Sequence, residues 1–80
     1  MRLDKFLKVS RIIKRRTVAN EACDGGRVMV NGKVAKAAVN VAVGDIIEIK
    51  FGGNSQKIEV LSIKEHVRKE DAAAMYRETE

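Results

Sequence analysis

Apolar residues recur along the first third of the chain at the spacing of short amphipathic helices. One apolar face, at 3.6 residues per turn, predicts a helix over about residues 3–9. That face consists of Leu3, Phe6, Leu7, Ser10 and Ile13. A second helical pattern follows Thr17, which we expect to cap the helix start, and the pair Gly25-Gly26 marks its end. Two short helices are therefore predicted before residue 27.

After the paired glycines the period of the apolar positions changes from 3.6 to two, which predicts short β-strands. Asn31-Gly32 is the strongest short-range signal for a type I′ hairpin turn. Later alternating runs over residues 39–43, 47–51 and 58–63 predict further strands, separated by a turn at Gly44-Asp45 and a loop over residues 52–55. The pattern predicts an α+β fold in which two short N-terminal helices pack on a small, mostly antiparallel sheet of four to five strands.

The chain has a length of 80 residues and no proline, and no shift in composition marks a linker. We therefore expect one domain over residues 1–64 and a C-terminal tail over residues 65–80. The tail is predicted to be partly helical, with a short C-terminal helix. Two alternatives are open: Met75 and Tyr76 dock this helix on the sheet, or the tail becomes ordered only on a partner.

Positive charge is concentrated at the start of the chain. The first sixteen residues hold seven Lys or Arg and one carboxylate, whereas residues 17–80 hold nine basic and ten acidic side chains. Three of the basic residues, Lys14, Arg15 and Arg16, arrive just before the predicted second helix, whose first amides attract anions. Such a patch is typical of a protein that grips a phosphate backbone, although an anionic membrane surface would attract it too.

Other residue types restrict the possible chemistry. The lone Cys23 excludes an intrachain disulfide and is expected to be a core residue in a reducing compartment. His66 has no partner at metal-ligand spacing, and no catalytic constellation or cofactor motif is recognisable, so neither an enzyme, a metal site nor a cofactor is predicted. Because Phe6 and Phe51 are expected in the core, contacts with phosphates are favoured over stacking on nucleic-acid bases.

Several motifs in one register resemble the S4 RNA-binding domain over residues 2 to about 50. They are Arg2-Leu3-Asp4-Lys5-Phe6-Leu7, Ser10-Arg11, Thr17, Asn20-Glu21, Gly26-Arg27-Val28, Val30-Asn31-Gly32-Lys33 and Gly44-Asp45. The chain is most similar to the small stand-alone bacterial S4 proteins of the RqcP and heat-shock-protein-fifteen group, and residues 72–79 extend the likeness into the tail. The long basic C-terminal extension of the heat-shock member is missing, which favours the shorter, tailing-associated member.

The resemblance implies an αL-type RNA-binding surface. Carried over by position, this surface comprises Arg2, Lys5, Lys8, Arg11, Lys14, Arg15, Arg16, Thr17, Asn20, Arg27, Asn31 and Lys33. It also implies binding to large-subunit ribosomal RNA and peptidyl-tRNA on obstructed large subunits, in a ribosome-associated quality-control factor that supports tailing of the stalled chain by a NEMF-type factor. We expect a cytoplasmic, ribosome-associated protein that is a monomer when free.

Other functions stay open at the level of sequence. One alternative is a small DNA-binding module, although the second helix would then present the carboxylates of Glu21 and Asp24 to phosphates. Another is a protein that binds structured RNA generically. Membrane binding by residues 1–16 would leave the hairpin without a purpose, so no membrane partner is predicted.

Overall fold

The computed structural model describes residues 1–79, which form helices and a single antiparallel sheet. The helices are α1 (Leu3–Val9), α2 (Arg16–Asp24), α3 (Lys69–Ala72) and a 3-10 turn (Ala73–Met75). The strands are β1 (Val28–Val30), β2 (Lys33–Val34), β3 (Ile46–Phe51), β4 (Asn54–Val60) and β5 (Tyr76–Thr79). Within residues 1–79 the sheet has five strands in the order β2-β1-β3-β4-β5. The predicted α+β architecture is confirmed.

The core lies between the two N-terminal helices and one face of the sheet. The predicted face of α1 is buried, and Phe6 is 0% exposed. In β3, Ile47 and Ile49 are buried, and they meet these helices because alternate residues of a strand point to the same side. This packing fixes α1 and α2 against the sheet and leaves their other faces to solvent.

Two local turns follow their sequence signals. At the end of α2, Arg27 N–H donates to the Ala22 carbonyl at 3.0 Å and Gly26, with φ +81°, takes the left-handed conformation of a Schellman cap. At the β1–β2 hairpin, Asn31 and Gly32 have φ +52° and +84°, as a type I′ turn requires. The predicted helix end and hairpin are confirmed.

The strand predicted over residues 39–43 is wrong. This segment instead crosses from β2 to β3 along the start of the chain, where Leu3 N–H donates to the Val39 carbonyl at 2.7 Å and Val41 N–H donates to the Met1 carbonyl at 2.9 Å. Only Val41 of the alternating valines is buried, while Val43 is 63% exposed. Backbone hydrogen bonds to residues 1–3, not to a sheet neighbour, account for the segment.

Three further predictions about the second hairpin need correction. Strand β4 begins at Asn54, so the predicted loop over residues 52–55 is shorter than expected. The same strand ends at Val60, whereas the sequence pattern predicted its end at residue 63. Phe51 is 46% exposed because it lies at the end of β3 beside the turn, beyond the cover of the helices, so its placement in the core was wrong. An exposed phenylalanine can stack on a base, but Phe51 lies 18 positions after Lys33, the nearest of the predicted RNA-contacting residues.

The C-terminal segment completes the sheet. Met75 is 1% exposed, Tyr76 pairs with Val60, and β5 runs antiparallel to β4. The predicted short helix and the docking by Met75 and Tyr76 are confirmed, whereas strand β5 was not predicted. The division into residues 1–64 and a tail stays a prediction, and residue 80 of that tail lies outside the described residues.

Candidate nucleic-acid interface

A buried carboxylate organises the basic residues at the start of the chain. Asp4 lies in the first turn of α1 with its side chain 3% exposed, between two half-exposed arginines. Arg2 Nε donates to Asp4 Oδ1 at 3.2 Å, and Arg16 Nε donates to Asp4 Oδ2 at 3.5 Å. Asn20 Nδ2 donates to Asp4 Oδ2 at 3.2 Å, and the Lys5 amide donates to Oδ1 at 2.8 Å. Asp4 thus ties α1 to α2.

This arrangement also keeps Asp4 ionised. Burial raises the pKa of the Asp4 carboxyl, but the Asn20 hydrogen bond, the Arg16 charge and the Lys5 amide outweigh burial and hold that pKa below its ordinary value. One carboxylate therefore faces two guanidinium groups, which leaves an excess of one positive charge. The outer edges of both guanidinium groups stay available to solvent or to a phosphate.

The start of α2 differs from the sequence prediction. Arg15, not Thr17, is the N-cap, because its backbone is extended (φ −117°, ψ 131°) and its carbonyl accepts from Ala19 N–H at 3.0 Å. Thr17 lies inside the first turn and is exposed. Within residues 1–79, no side chain caps this helix end, so its first amides remain open to an external acceptor.

A surface depression, which we call the Asp4 hollow, lies at this junction of α1 and α2. It is lined by Arg2, Asp4, Arg16, Thr17, Asn20 and Glu21. Four of the predicted site residues therefore come together here. Glu21 also lines the hollow, so the two arginines share it with the carboxylates of Asp4 and Glu21.

A second depression, which we call the tail hollow, lies at the other end of α1. Its cations are Lys8, Arg11 and Lys14, and its other lining residues are Val9, Glu65, His66 and Val67. Three more predicted site residues come together here. The segment after β4 forms the opposite wall, which the sequence did not predict.

Arg11 is held in the left-handed region with φ +64°, a conformation that costs a non-glycine residue about 1 kcal/mol. We expect Arg11→Gly to raise the free energy of unfolding by about 0.5–1 kcal/mol while weakening RNA binding, because glycine relieves the strain but removes the charge. Arg11→Ala should weaken binding equally without the gain in stability. Urea unfolding and RNA titration of both variants test this, and a less stable Arg11→Gly would show that the side chain supports the fold.

The remaining predicted site residues lie elsewhere. Both polar atoms of the Asn31 side chain form hydrogen bonds within the protein. Its Nδ2 donates to Asp45 Oδ1 at 3.1 Å, and its Oδ1 accepts from Ile46 N–H at 2.9 Å. Arg27 follows the end of α2, opposite its basic start, and Lys33 lies on the edge strand β2. Lys5 donates to Glu65, and Arg15 is exposed at the N-cap. The structure does not place these five in either hollow.

Two acidic residues that sequence reasoning passed over shape the site. Asp4 was counted as the one negative charge among seven cations and quoted within the S4 motif, but no role was predicted for it, and the structure shows that it orients two of the cations. A lone carboxylate at the start of a basic helix is a usable signal, because the first turn of a helix and nearby cations both attract negative charge. Glu65 carried no comparable signal, since its contact with Lys5 spans 60 positions of sequence.

Cys23 and His66, the other residues considered as reactive or metal-binding groups, line no part of the Asp4 hollow, and only His66 lines the tail hollow. Cys23 is buried, which confirms its prediction as a core residue. Burial, followed by the nearby charges of Asp4 and Asp24, raises the pKa of its thiol to about 11. His66 is exposed. Among residues 1–79, no cluster of His, Cys, Asp or Glu could hold a metal ion. In the same range, no helix is long and apolar enough to cross a membrane.

The fold is shared with known proteins. A family model described as S4 domain matches residues 1–47, which contain α1, α2 and the β1–β2 hairpin. This chain belongs to the S4 domain family. The match includes every predicted site residue but ends before Glu65, so the tail hollow is built only partly from the S4 domain.

Individual relatives cover nearly the whole chain. The RQC P-site tRNA stabilizing factor of Halalkalibacterium halodurans is 57% identical over 76 residues, which are 95% of this chain and 86% of the relative. The protein of the same name from Bacillus subtilis is 51% identical over 95% of this chain and 88% of its own length. The trimeric structure of heat shock protein 15 from Vibrio cholerae superimposes with a TM-score of 0.91 at 35% identity, covering 99% of this chain and 81% of that one. These relatives place the chain in the predicted group.

Proposed function

We propose that this chain is a non-enzymatic RNA-binding factor of ribosome-associated quality control. In this role it binds large-subunit ribosomal RNA and peptidyl-tRNA on obstructed large subunits and supports C-terminal tailing by a NEMF-type factor. The observation that carries the proposal is the Asp4 hollow, where Arg2 and Arg16 are held side by side at the uncapped start of α2. Guanidinium groups beside free helix amides match the oxygen atoms of a phosphate.

The names of the relatives support the same proposal. Proteins that are 57% and 51% identical to this chain are called RQC P-site tRNA stabilizing factors. We propose that this chain acts likewise as a cytoplasmic, ribosome-associated monomer, with no cofactor. The twelve residues carried over from the S4 resemblance are its proposed contacts, and the seven that line the two hollows have priority.

The distribution of charge supports a single binding side. The sheet face away from the helices carries mixed charges, because Glu48 is paired in register with Lys57 and Glu59 bonds Arg77. The helix side carries Lys8, Arg11 and Lys14 without an ion pair of 4.0 Å or less among residues 1–79. A polyanion therefore gains most by approaching α1 and α2.

Binding to purified large subunits in a salt series tests the proposal. If about four to six phosphates are neutralised, the logarithm of affinity should fall against the logarithm of salt with a slope of roughly −3 to −5. Subunits that carry peptidyl-tRNA should bind more tightly than empty ones. Equal affinity for both would contradict the role on obstructed subunits, and equal competition by duplex DNA would favour the DNA-binding alternative.

A further inference from the structure

The tail hollow contains residues from outside the matched S4 domain, on the wall opposite α1. Glu65, His66 and Val67 belong to the segment that follows β4, whereas the S4 match ends at residue 47. Three cations face this segment from α1 and the turn that follows it. A concave site with three cations and one carboxylate has an excess of positive charge, and it is separate from the Asp4 hollow.

The turn after α1 removes the usual obstacle to an anion at a helix C-terminus, which is the negative end of the dipole. Ser10 N–H donates to the Phe6 carbonyl at 2.9 Å, and Ile13 N–H donates to the Leu7 carbonyl at 3.0 Å. The Lys8 carbonyl accepts from Arg11 N–H at 3.0 Å. Since these carbonyls are satisfied within the turn, basic side chains dominate the field at the hollow.

Glu65 supplies the counter-charge of this site. Its carboxylate accepts from Lys5 Nζ, and this hydrogen bond, followed by the Lys5 charge, lowers the pKa of Glu65. The Glu65 side chain is 62% exposed, so the ion pair lies at the surface. A phosphate in the hollow can therefore displace the Glu65 carboxylate, and so separate it from Lys5, without opening the core.

We propose that the tail hollow is a second phosphate-binding subsite, which holds a backbone phosphate of the bound RNA between α1 and the segment 65–67. Glu65 occupies Lys5 in the free protein and releases it when RNA arrives. The inference rests on the proposed RNA-binding function, and it gives the segment after β4 a direct part in that function. RNA contact thus extends beyond the S4 domain match.

The proposal is tested by removing one negative charge inside the tail hollow and, as a control, one outside it. Binding of a double-stranded RNA stem-loop is measured for both variants. Glu65→Gln should tighten binding roughly two- to fivefold, because it removes repulsion and frees Lys5. The matched control Glu70→Gln makes the same change in charge on α3, outside the hollow, and should leave affinity within about 1.5-fold. The salt slope should steepen by roughly 0.7–0.9 for Glu65→Gln alone.

A carboxylate placed in the hollow should have the opposite effect. His66→Asp is expected to weaken stem-loop binding roughly two- to fivefold, whereas Ala74→Asp, an exposed position of the 3-10 turn, should not. Circular dichroism and thermal unfolding establish that each variant folds, and if His66→Asp does not fold, the Glu65 and Glu70 comparison decides. Equal effects of Glu65→Gln and Glu70→Gln would overturn the subsite.

The two proposals fail in different ways. If wild-type protein binds the stem-loop but not large subunits, the proposed ribosomal function is wrong. The stem-loop affinities of the Glu65 and His66 variants then still decide whether the subsite exists. If Arg16→Ala weakens binding to subunits but the Glu65 and His66 variants match their controls, the ribosomal function stands and the subsite is wrong.

Discussion

Replacing Arg16 with alanine is expected to weaken binding to large subunits by roughly tenfold, the size expected for a central arginine contact. Arg16 lies at the first position of α2, so its positive charge adds to that of a helix start that no side chain caps within residues 1–79. Its loss should also make the salt slope less steep by about one unit. Co-sedimentation with large subunits across a salt series measures both effects.

The fold should survive this change. Arg16 is about half exposed, and Asp4 keeps its bonds from Arg2, Asn20 and the Lys5 amide, so the loss in unfolding free energy should stay below about 1 kcal/mol. Lys57→Ala is the matched control, because it removes one positive charge from the sheet face opposite the helices. If the two folded variants bind equally, the Asp4 hollow is not the main contact.

Replacing Asp4 with asparagine is expected to lower the free energy of unfolding by about 2–3 kcal/mol. If the new NH2 group took the place of Oδ2, it would face the donors of Arg16 and Asn20. The buried NH2 group and these two donors would then have no acceptor. RNA binding should also weaken, since Arg2 and Arg16 lose the group that orients them. Chemical denaturation and RNA titration measure the two effects.

The pH dependence of this loss identifies its cause. The folded-state pKa of Asp4 is lower than its ordinary value, so its contribution is fully present above the unfolded-state pKa and is lost as pH falls through the folded one. The stability difference between wild type and Asp4→Asn should therefore stay constant from neutral pH to about pH 5 and shrink below about pH 4.

A surface carboxylate gives the comparison for Asp4. Asp71→Asn, at an exposed position of α3, should change stability by less than about 0.5 kcal/mol at every pH. A difference for Asp4→Asn that persisted at pH 2 would show that shape, not ionisation, explains the loss.

The relation between the two hollows follows from α1 itself. Arg2 and Asp4 stand at its start, and Lys8 stands in its last turn, so one short helix contributes to both depressions. At 1.5 Å per residue, the seven residues of α1 span roughly 10 Å. That length suits the proposed contacts with neighbouring phosphates of one folded RNA.

Sequence patterns predicted the elements whose stability is local. The face of α1 led by Leu3 and Phe6, the glycine cap of α2 and the turn at Asn31-Gly32 all agree with the structure. Each depends on neighbours within a few residues, because helix periodicity, left-handed glycine and type I′ geometry are short-range effects. The cluster of cations near the amino terminus was visible for the same reason.

Longer-range partners decided the rest. Residues 39–43 look like a strand but bond to residues 1–3, and Tyr76–Thr79 became strand β5 because the edge of β4 was free to pair. Thr17 does not cap α2, because the helix begins one residue earlier, at Arg16. Arg16 donates a hydrogen bond to Asp4 on α1, a contact 12 positions away in sequence. Distant contacts of this kind leave no periodic trace in the chain.

The amino-acid order alone therefore determined the helices, the hairpin and an amino terminus rich in positive charge. Only the tertiary structure decided which cations share a hollow, that Asp4 orients two arginines, and that Glu65 meets Lys5 across 60 positions. The physical reason is that the position of a charge along the chain can be read from the sequence, whereas a binding site requires directions and distances that packing alone supplies.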